Sequence, residues 1–426
     1  MPLLTTALFG LALLAPASLA VVKPPLGKAA APGKSSRSFT TGEYRNLFRE
    51  IGKSDEEICD KLNKAYAQLF FGDDASQRVY YPVGPDLGYI KDVGNGDVRS
   101  EGMSYGMMIA VQLGQKEVFD RLWKWSKTYM QHQSGPWQGY FAWSCKESGE
   151  KNTKFPASDG EEYFITALYF AAGKWGTGKG IFDYRAEADA VLYQLINKEK
   201  VNGRIVDNAH NMFNLQHKQV VFVPNGDAAK FTDASYHLPS FYELWSRWGK
   251  SDKSFWKEAA QASRAYFKKA VHPVTGLASD YSTFDGKPMK APWDPNSKGD
   301  IFAFDAFRVA QNIAMDHAWF NTDPWQVQQT NRMLEFFDRQ KPNYVSNYTV
   351  DGKPLVEFRS GGLIAMNAAS CLAATTPSAK RFIQDLWDAP VPSGQWRYYD
   401  GMLYLFGLLH CSGQYRIWAP RAKPSS

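Results

Sequence analysis

Three acids in this chain stand in surroundings that do not suit a solvated charge. Glu101 lies in "DVRSEGMSYGMMIAVQLG", Asp159 in "FPASDGEEYFITALYFAAG" and Asp305 in "DIFAFDAFRVAQNIAMDHAWF". Each is followed by small and apolar residues at helical spacing, so each is expected at or near a helix N-terminus. A single acid there is ordinarily a cap, stabilised by free amides and the helix dipole. Three of them in near-apolar contexts point further. Two carboxyl groups facing each other across a groove are what glycoside hydrolysis needs. One keeps its proton and gives it to the leaving oxygen, while the other attacks the sugar or activates water. Burial disfavours the ionised form, which makes a sequestered Glu101 the expected proton holder.

Sugar chemistry also needs flat surfaces, because pyranose rings present apolar C–H faces. Trp137 and Tyr140 in "GPWQGYFAW", Tyr236 in "DASYHLPSFYELW", and Tyr398 and Tyr399 in "QWRYYDGMLYLFGLLH" fall in or near loop segments and are the expected contacts. Core packing is the alternative for each. Arg308, one helical turn beyond Asp305, is suited to orient a carboxylate through charge-assisted hydrogen bonds.

The elements that must position these groups are helical. Periodicity predicts helices over roughly 54–70, 101–113, 116–131, 160–173, 183–198, 238–249, 252–269, 304–319, 323–339, 361–373, 378–387 and 399–409. The first opens on a Ser-x-x-Glu capping box at Ser54. Short turns alternate with long crossings rich in Gly, Pro, Asn and Asp, and no strand-rich block marks a second domain. A dozen helices in this pattern fit a double ring of six inner and six outer helices. Stretches 101–113 and 361–373, apolar on nearly all faces, read as inner helices. Inner N-termini then share one end, where the three acids converge among the long crossings. A solenoid is the runner-up, but no fixed repeat is present.

The 426 residues allow one large domain or two ordinary ones, and 44% hydrophobic residues readily supply a core. The first 20 residues carry no charged side chain, and their apolar run is too short to span a bilayer. They read as a secretory signal cleaved after Ala20. Residues 21–40 read as a flexible leader holding Lys23, Lys28, Lys34 and Arg37. These account for four of the six net positive charges, leaving +2 for residues 41–426. No basic stripe interleaved with aromatics appears elsewhere, which argues against nucleic acid as a partner. Cys59, Cys145, Cys371 and Cys411 allow up to two disulfides in an oxidising compartment, with buried free thiols as the alternative. "NYT" at Asn347 is a glycosylation sequon, usable in a eukaryotic host. "GKWGTGKG" lacks the hydroxyl residue of a phosphate loop and follows a helix instead of a strand, so it reads as a helix-ending turn. The seven histidines show no metal-binding spacing.

The motifs "SEGMSYGMM", "ASDGEEYFITAL", "FDAFRVAQNIAMD" and "YYDGMLYLFGLLH" together resemble glycoside hydrolase family 8, over about residue 50 to Trp418. The resemblance implies an all-α (α/α)6 barrel forming one catalytic domain over 41–426, and hydrolysis with inversion. It implies Glu101 as general acid, Asp305 as general base, and Asp159 as the residue holding a distorted sugar at the cleavage subsite. It implies no metal or cofactor. Members act on cellulose, mixed-linkage glucan, chitosan or xylan. "SDGEEYF" and "DASYHLPSFYELW" look most like the xylan-active branch, whereas cellulose-active members usually read Asp-Gly-Asp. The expected reaction is therefore cleavage of β-1,4-xylosidic bonds in xylan or xylo-oligosaccharides by a secreted monomer with no membrane partner. Internal cutting is expected, because "VEFRSG" before "GLIAMNAAS" is not the loop with which exo members block the groove. Release of xylose from the reducing end is the alternative, followed by endo-β-1,4-glucanase action. A polysaccharide-binding protein is the non-enzyme alternative.

Overall fold

The computed structural model describes residues 22–23, 26–27, 37–340 and 342–420. The expected signal segment and most of the leader lie outside the described residues. Two single-turn helices, α1 (Ser38–Thr41) and α2 (Leu47–Glu50), precede the twelve long ones. These are α3 (Asp55–Phe71), α4 (Ser100–Leu113), α5 (Lys116–Trp125), α6 (Ser158–Trp175), α7 (Tyr184–Val201) and α8 (Pro239–Trp248). They continue with α9 (Lys253–Ala270), α10 (Phe307–Phe320), α11 (Trp325–Asp338), α12 (Gly361–Ser370), α13 (Ala379–Asp388) and α14 (Arg397–Cys411).

Packing closes the even-numbered helices from α4 to α14 into a ring: α4 on α6, α6 on α8, α8 on α10, α10 on α12, α12 on α14, and α14 back on α4. Each long odd-numbered helix lies outside a neighbour, with α5 on α4, α7 on α6, α9 on α8, α11 on α10, α13 on α12 and α3 on α14. The fold is an (α/α)6 barrel. Burial explains the two layers. α4 is buried from Ser100 to Gln112 except at Glu101, and α6 from Ser158 to Ala172. α9 buries only one stripe, Trp256, Ala259, Ala260, Ser263, Tyr266, Phe267 and Ala270, at the spacing of an amphipathic surface helix. Arg264 of α9 ties this outer helix to two inner ones. It donates to Glu243 of α8 at 2.8 Å and, through two nitrogens, to Asp316 of α10 at 2.7 Å.

The connections are unequal. The turns that leave inner helices α4, α6, α8, α10 and α12 are short, whereas crossings such as 126–157, 202–238 and 271–306 lead into inner N-termini. The long crossings therefore gather at one end, stiffened by two-residue antiparallel ribbons. One pairs Val98–Arg99 with Ser144–Cys145, and another pairs Thr232–Asp233 with Tyr281–Ser282. Periodicity placed every long helix, but several ends differ by three residues or more. The stretch predicted over 116–131 passes into a wide π turn at Ser126–Met130. The helix predicted from residue 304 begins at Phe307, which leaves Asp305 in the turn before α10. "GKWGTGKG" is the end of α6 followed by Gly176 at φ 81°. All four cysteines are buried free thiols, so the disulfide alternative is not realised. Asn347 is buried at 8% exposure, so its sequon is not presented to a glycan.

Inner helices approach closely where small residues meet. A Cβ on Gly407 of α14 would sit 2.8 Å from Ala365 Cβ and 3.0 Å from Ala365 O on α12. Backbone cannot yield as a flexible side chain does. Gly407→Ala is therefore expected to destabilise the barrel by about 1–3 kcal/mol despite its gain in helix propensity. A lowered midpoint in thermal or urea unfolding checks this, and an unchanged or raised midpoint would show that the crossing is slack.

Candidate active site

The inner N-termini and long crossings enclose a groove of ≈ 650 Å³ whose lining includes Glu101, Asp159 and Asp305. The three acids arrive by different routes. Glu101 is the second residue of α4, and Asp159 the second of α6. Asp305 is held by the turn ahead of α10. Arg308, in the first turn of α10, gathers all three. Its Nη1 donates to Asp159 Oδ2 at 2.8 Å and to Glu101 Oε2 at 3.3 Å, and its Nη2 donates to Asp305 Oδ1 at 2.9 Å. Nη1 also meets the Tyr105 hydroxyl. The guanidinium is almost wholly buried, whereas the Glu101 and Asp305 side chains keep 17% and 32% exposure towards the groove. Glu101 and Asp305 thus lie no farther apart than two hydrogen bonds and the width of one guanidinium. That separation does not exceed the upper limit of the roughly 6.5–9.5 Å that leaves room for a water between an acid and a base.

One cation facing three carboxylates leaves a surplus of negative charge in a poorly solvated place. Burial, opposed by Arg308 and reinforced by Asp159 and Asp305, brings the Glu101 carboxyl up to about 7. Tyr398 donates its hydroxyl to Glu101 Oε1 at 2.9 Å. Burial likewise raises Asp159, with Arg308 opposing. Asp159 helps line the groove, and its Oδ1 is a buried atom with no hydrogen-bond partner among the described residues. Gly102 makes the Tyr398 contact possible, since a Cβ there would stand 2.6 Å from the Tyr398 ring.

The aromatic expectations divide. Tyr236 lines the groove, 6.0 Å from Phe222 in a stacked pair, with the Arg308 guanidinium 5.6 Å from its ring. Tyr399 lies beside Arg308 and donates to Phe304 O at 2.8 Å. Tyr398 is buried against Glu101, so it positions a carboxyl more than it offers a face. Trp137 and Tyr140, expected as sugar contacts, do not line the groove. Tyr140 is fully buried, its hydroxyl donating to Gln194 O and His210 O, and Trp137 Nε1 donates to Asp207 Oδ2 at 2.9 Å. The ring that reaches the groove from "GPWQGYFAW" is Trp143, joined there by Phe155, Phe222, Tyr281 and Trp293. Trp293 is 59% exposed at the rim.

Two further acids escaped sequence reasoning. Asp233 is buried and Asp280 half-buried beside Asp305, and desolvation holds both carboxyls well above their ordinary range. Asp280 Oδ1 accepts the backbone N–H of Ala303 at 3.2 Å and of Ala306 at 2.9 Å, bracketing Asp305. Asp233 Oδ1 accepts the Ser235 N–H and hydroxyl. Their signal in sequence was a loop acid among apolar and aromatic neighbours, "FTDASY" and "LASDYS", which otherwise reads as an ordinary turn residue.

The profile described as Glycosyl hydrolases family 8 matches residues 88–413. The reducing-end xylose-releasing exo-oligoxylanase Rex8A of Paenibacillus barcinonensis is 44% identical over 89% of this chain and 98% of its own length. A reducing end xylose-releasing exo-oligoxylanase of Halalkalibacterium halodurans is 45% identical over 91% of this chain and 97% of its own. Among solved structures, a family 8 xylanase of Teredinibacter turnerae, a catalytic mutant complexed with xylohexaose, superposes with TM-score 0.86 at 47% identity, covering 90% of this chain and all of its own.

Two outcomes follow from the site's electrostatics and its turn. A proton held on Glu101 to about pH 7 sets the basic limb of the rate profile. Because the pKa is raised, the protonated acid persists up to that pH and is lost above it, so kcat/KM is expected to fall about tenfold per further pH unit. A profile flat to pH 9 would sink this assignment. Asp280→Leu frees the turn holding Asp305 and is expected to lower kcat by about 10²-fold with little change in KM. Asp280→Asn keeps an acceptor oxygen and is expected to retain most of the rate. Equal losses in both variants would rule out positioning through those two N–H groups.

Proposed function

From the chain's membership of glycosyl hydrolase family 8, we propose that it hydrolyses β-1,4-xylosidic bonds with inversion of the anomeric centre. The observation that carries this is the single guanidinium joining a proton-holding Glu101 to Asp305 across a groove floored by aromatic rings. The xylan assignment is supported by the relatives named as oligoxylanases and by the xylohexaose complex of the Teredinibacter enzyme.

A xylose unit stacks on Tyr236 and its neighbours, with its hydroxyls received by Asp159 and its position set against Arg308. Glu101 gives its proton to the glycosidic oxygen as that bond breaks, so the departing sugar leaves as a neutral alcohol. Asp305 takes a proton from a water on the opposite face, and the oxygen of that water bonds to the anomeric carbon. The product carries the opposite configuration, and the two carboxyls have exchanged protonation states. The apolar first 20 residues support export of the chain to where polymeric substrate is found.

Two modes of action follow from two observations. Curated relatives named as reducing-end xylose-releasing exo-oligoxylanases favour removal of single xylose units. The Teredinibacter xylanase favours the internal cutting expected from the "VEFRSG" stretch. Xylotetraose and xylan are incubated separately, with anomers followed by proton NMR and products by chromatography. Initial α-anomer supports inversion, and initial β-anomer overturns it. Xylose as the sole early product from short chains marks the first mode, and a ladder from xylan marks the second. Glu101→Gln is expected to reduce turnover of xylotetraose by about 10²–10⁴-fold.

A further inference from the structure

A second groove, of ≈ 1060 Å³, lies between the outer helix α7 and the turn that joins α8 to α9. Its walls include Arg185, Asp189, Tyr193, Trp248, Lys250 and Lys253. It faces away from the acids. Tyr236 of the acid groove lies just before α8 begins, and Trp248 is the last residue of α8. Ten helical residues separate the two ends by about 15 Å. None of the residues bonded to Glu101, Asp159 or Asp305 reaches this place.

Its chemistry is that of a polymer-holding surface. The edges of Tyr169 and Phe170 fix the indole of Trp248, at 6.0 Å and 66° and at 6.2 Å and 69°. Arg185 Nη2 donates to Trp248 O at 3.3 Å. Tyr193 stands on the facing helix with 37% of its surface open. The acid in the groove is turned inward, because Asp189 Oδ1 accepts the Tyr169 hydroxyl at 2.7 Å and the Lys250 N–H at 3.1 Å. Lys253 Nζ donates to Arg247 O at 3.2 Å, a neutral carbonyl. Among the described residues no carboxylate pairs with the ammonium of Lys250 or Lys253. Flat rings beside uncompensated cations suit a chain of pyranoses that bears carboxylates.

The geometry points to a second carbohydrate-binding site, for xylan carrying uronic acid side groups. Tyr193 and Trp248 take the C–H faces of backbone xylose units, and Lys250 and Lys253 receive the uronate. The site holds the enzyme on acidic xylan while the other end of the barrel works, and it rests on the xylan reading above.

The test uses the full chain with Glu101→Gln and the acid groove saturated by xylohexaose, in affinity electrophoresis through gels containing glucuronoxylan. Carboxyl-reduced glucuronoxylan and polygalacturonate serve as comparison gels. Retardation by glucuronoxylan is expected to fall about tenfold in Tyr193→Ala and in the Lys250→Glu, Lys253→Glu double variant. It is also expected to weaken on carboxyl reduction and near 1 M salt, where charge contacts are screened. The same exposed substitutions, placed in the active chain, are expected to leave xylotetraose turnover unchanged. Retardation untouched by either variant, or equal retardation by polygalacturonate, overturns the proposal. If the active chain fails to cleave xylotetraose, the xylan reading falls by itself, and the gels still decide whether this groove binds.

Discussion

A buried guanidinium shared by three carboxylates is the constraint around which the groove is arranged. Arg308 keeps its charge at any pH a protein meets, so it can sit almost wholly out of water where a lysine would lose its proton. Its planar fork lets Nη1 and Nη2 face different acids at once. It cannot neutralise all three. The deficit falls on the partner with the longest contact to Arg308, Glu101 at 3.3 Å, and burial also pushes its carboxyl towards the protonated form. The proton that the proposed mechanism needs is therefore a consequence of charge counting in a dry site, not of a special property of one glutamate.

That arrangement depends on the barrel closing. The acids come from residues more than two hundred positions apart, and they meet because inner helices run parallel with their N-termini at one end. Close crossings make the ring tight enough. Gly102 lets Tyr398 reach Glu101, and Gly407 lets α14 lie against Ala365 of α12. The buried bridge from Arg264 to Glu243 and Asp316 fixes α9 against two inner helices, at an interface where a lost partner would strand a charge.

Legibility in the sequence followed the physics of each feature. Helices with a sustained apolar period were readable, including the fully buried α4 and α6, because burial on all faces leaves few polar residues. Glu101 and Asp159 were readable as charges out of place in such runs. Trp137 and Tyr140 were misread because an aromatic in a Gly-rich loop looks equally suited to a groove and to the space beneath it. Only the ribbon of Val98–Arg99 with Ser144–Cys145 decides that Trp143 faces the acids. Asp233 and Asp280 were invisible for a related reason. A loop acid is ordinarily solvated, and what draws these two out of open solvent is the pairing of Thr232–Asp233 with Tyr281–Ser282, a contact between distant crossings with no local signature.

The two reacting carboxyls are placed by opposite means, and their tasks differ in the same sense. Glu101 rides on a helix buried on every other face, where surroundings cannot relax towards it and a proton is cheaper than a charge. Asp305 lies outside α10, in a turn held by backbone bonds to Asp280, with a third of its side chain open to the groove. A base that must meet a water needs that opening, and a helix position like that of Glu101 would deny it. The early start predicted for α10 at residue 304 and its actual start at Phe307 thus mark a functional boundary. The chain gives up three residues of the predicted helix so that one acid can stay more open to the groove than the other.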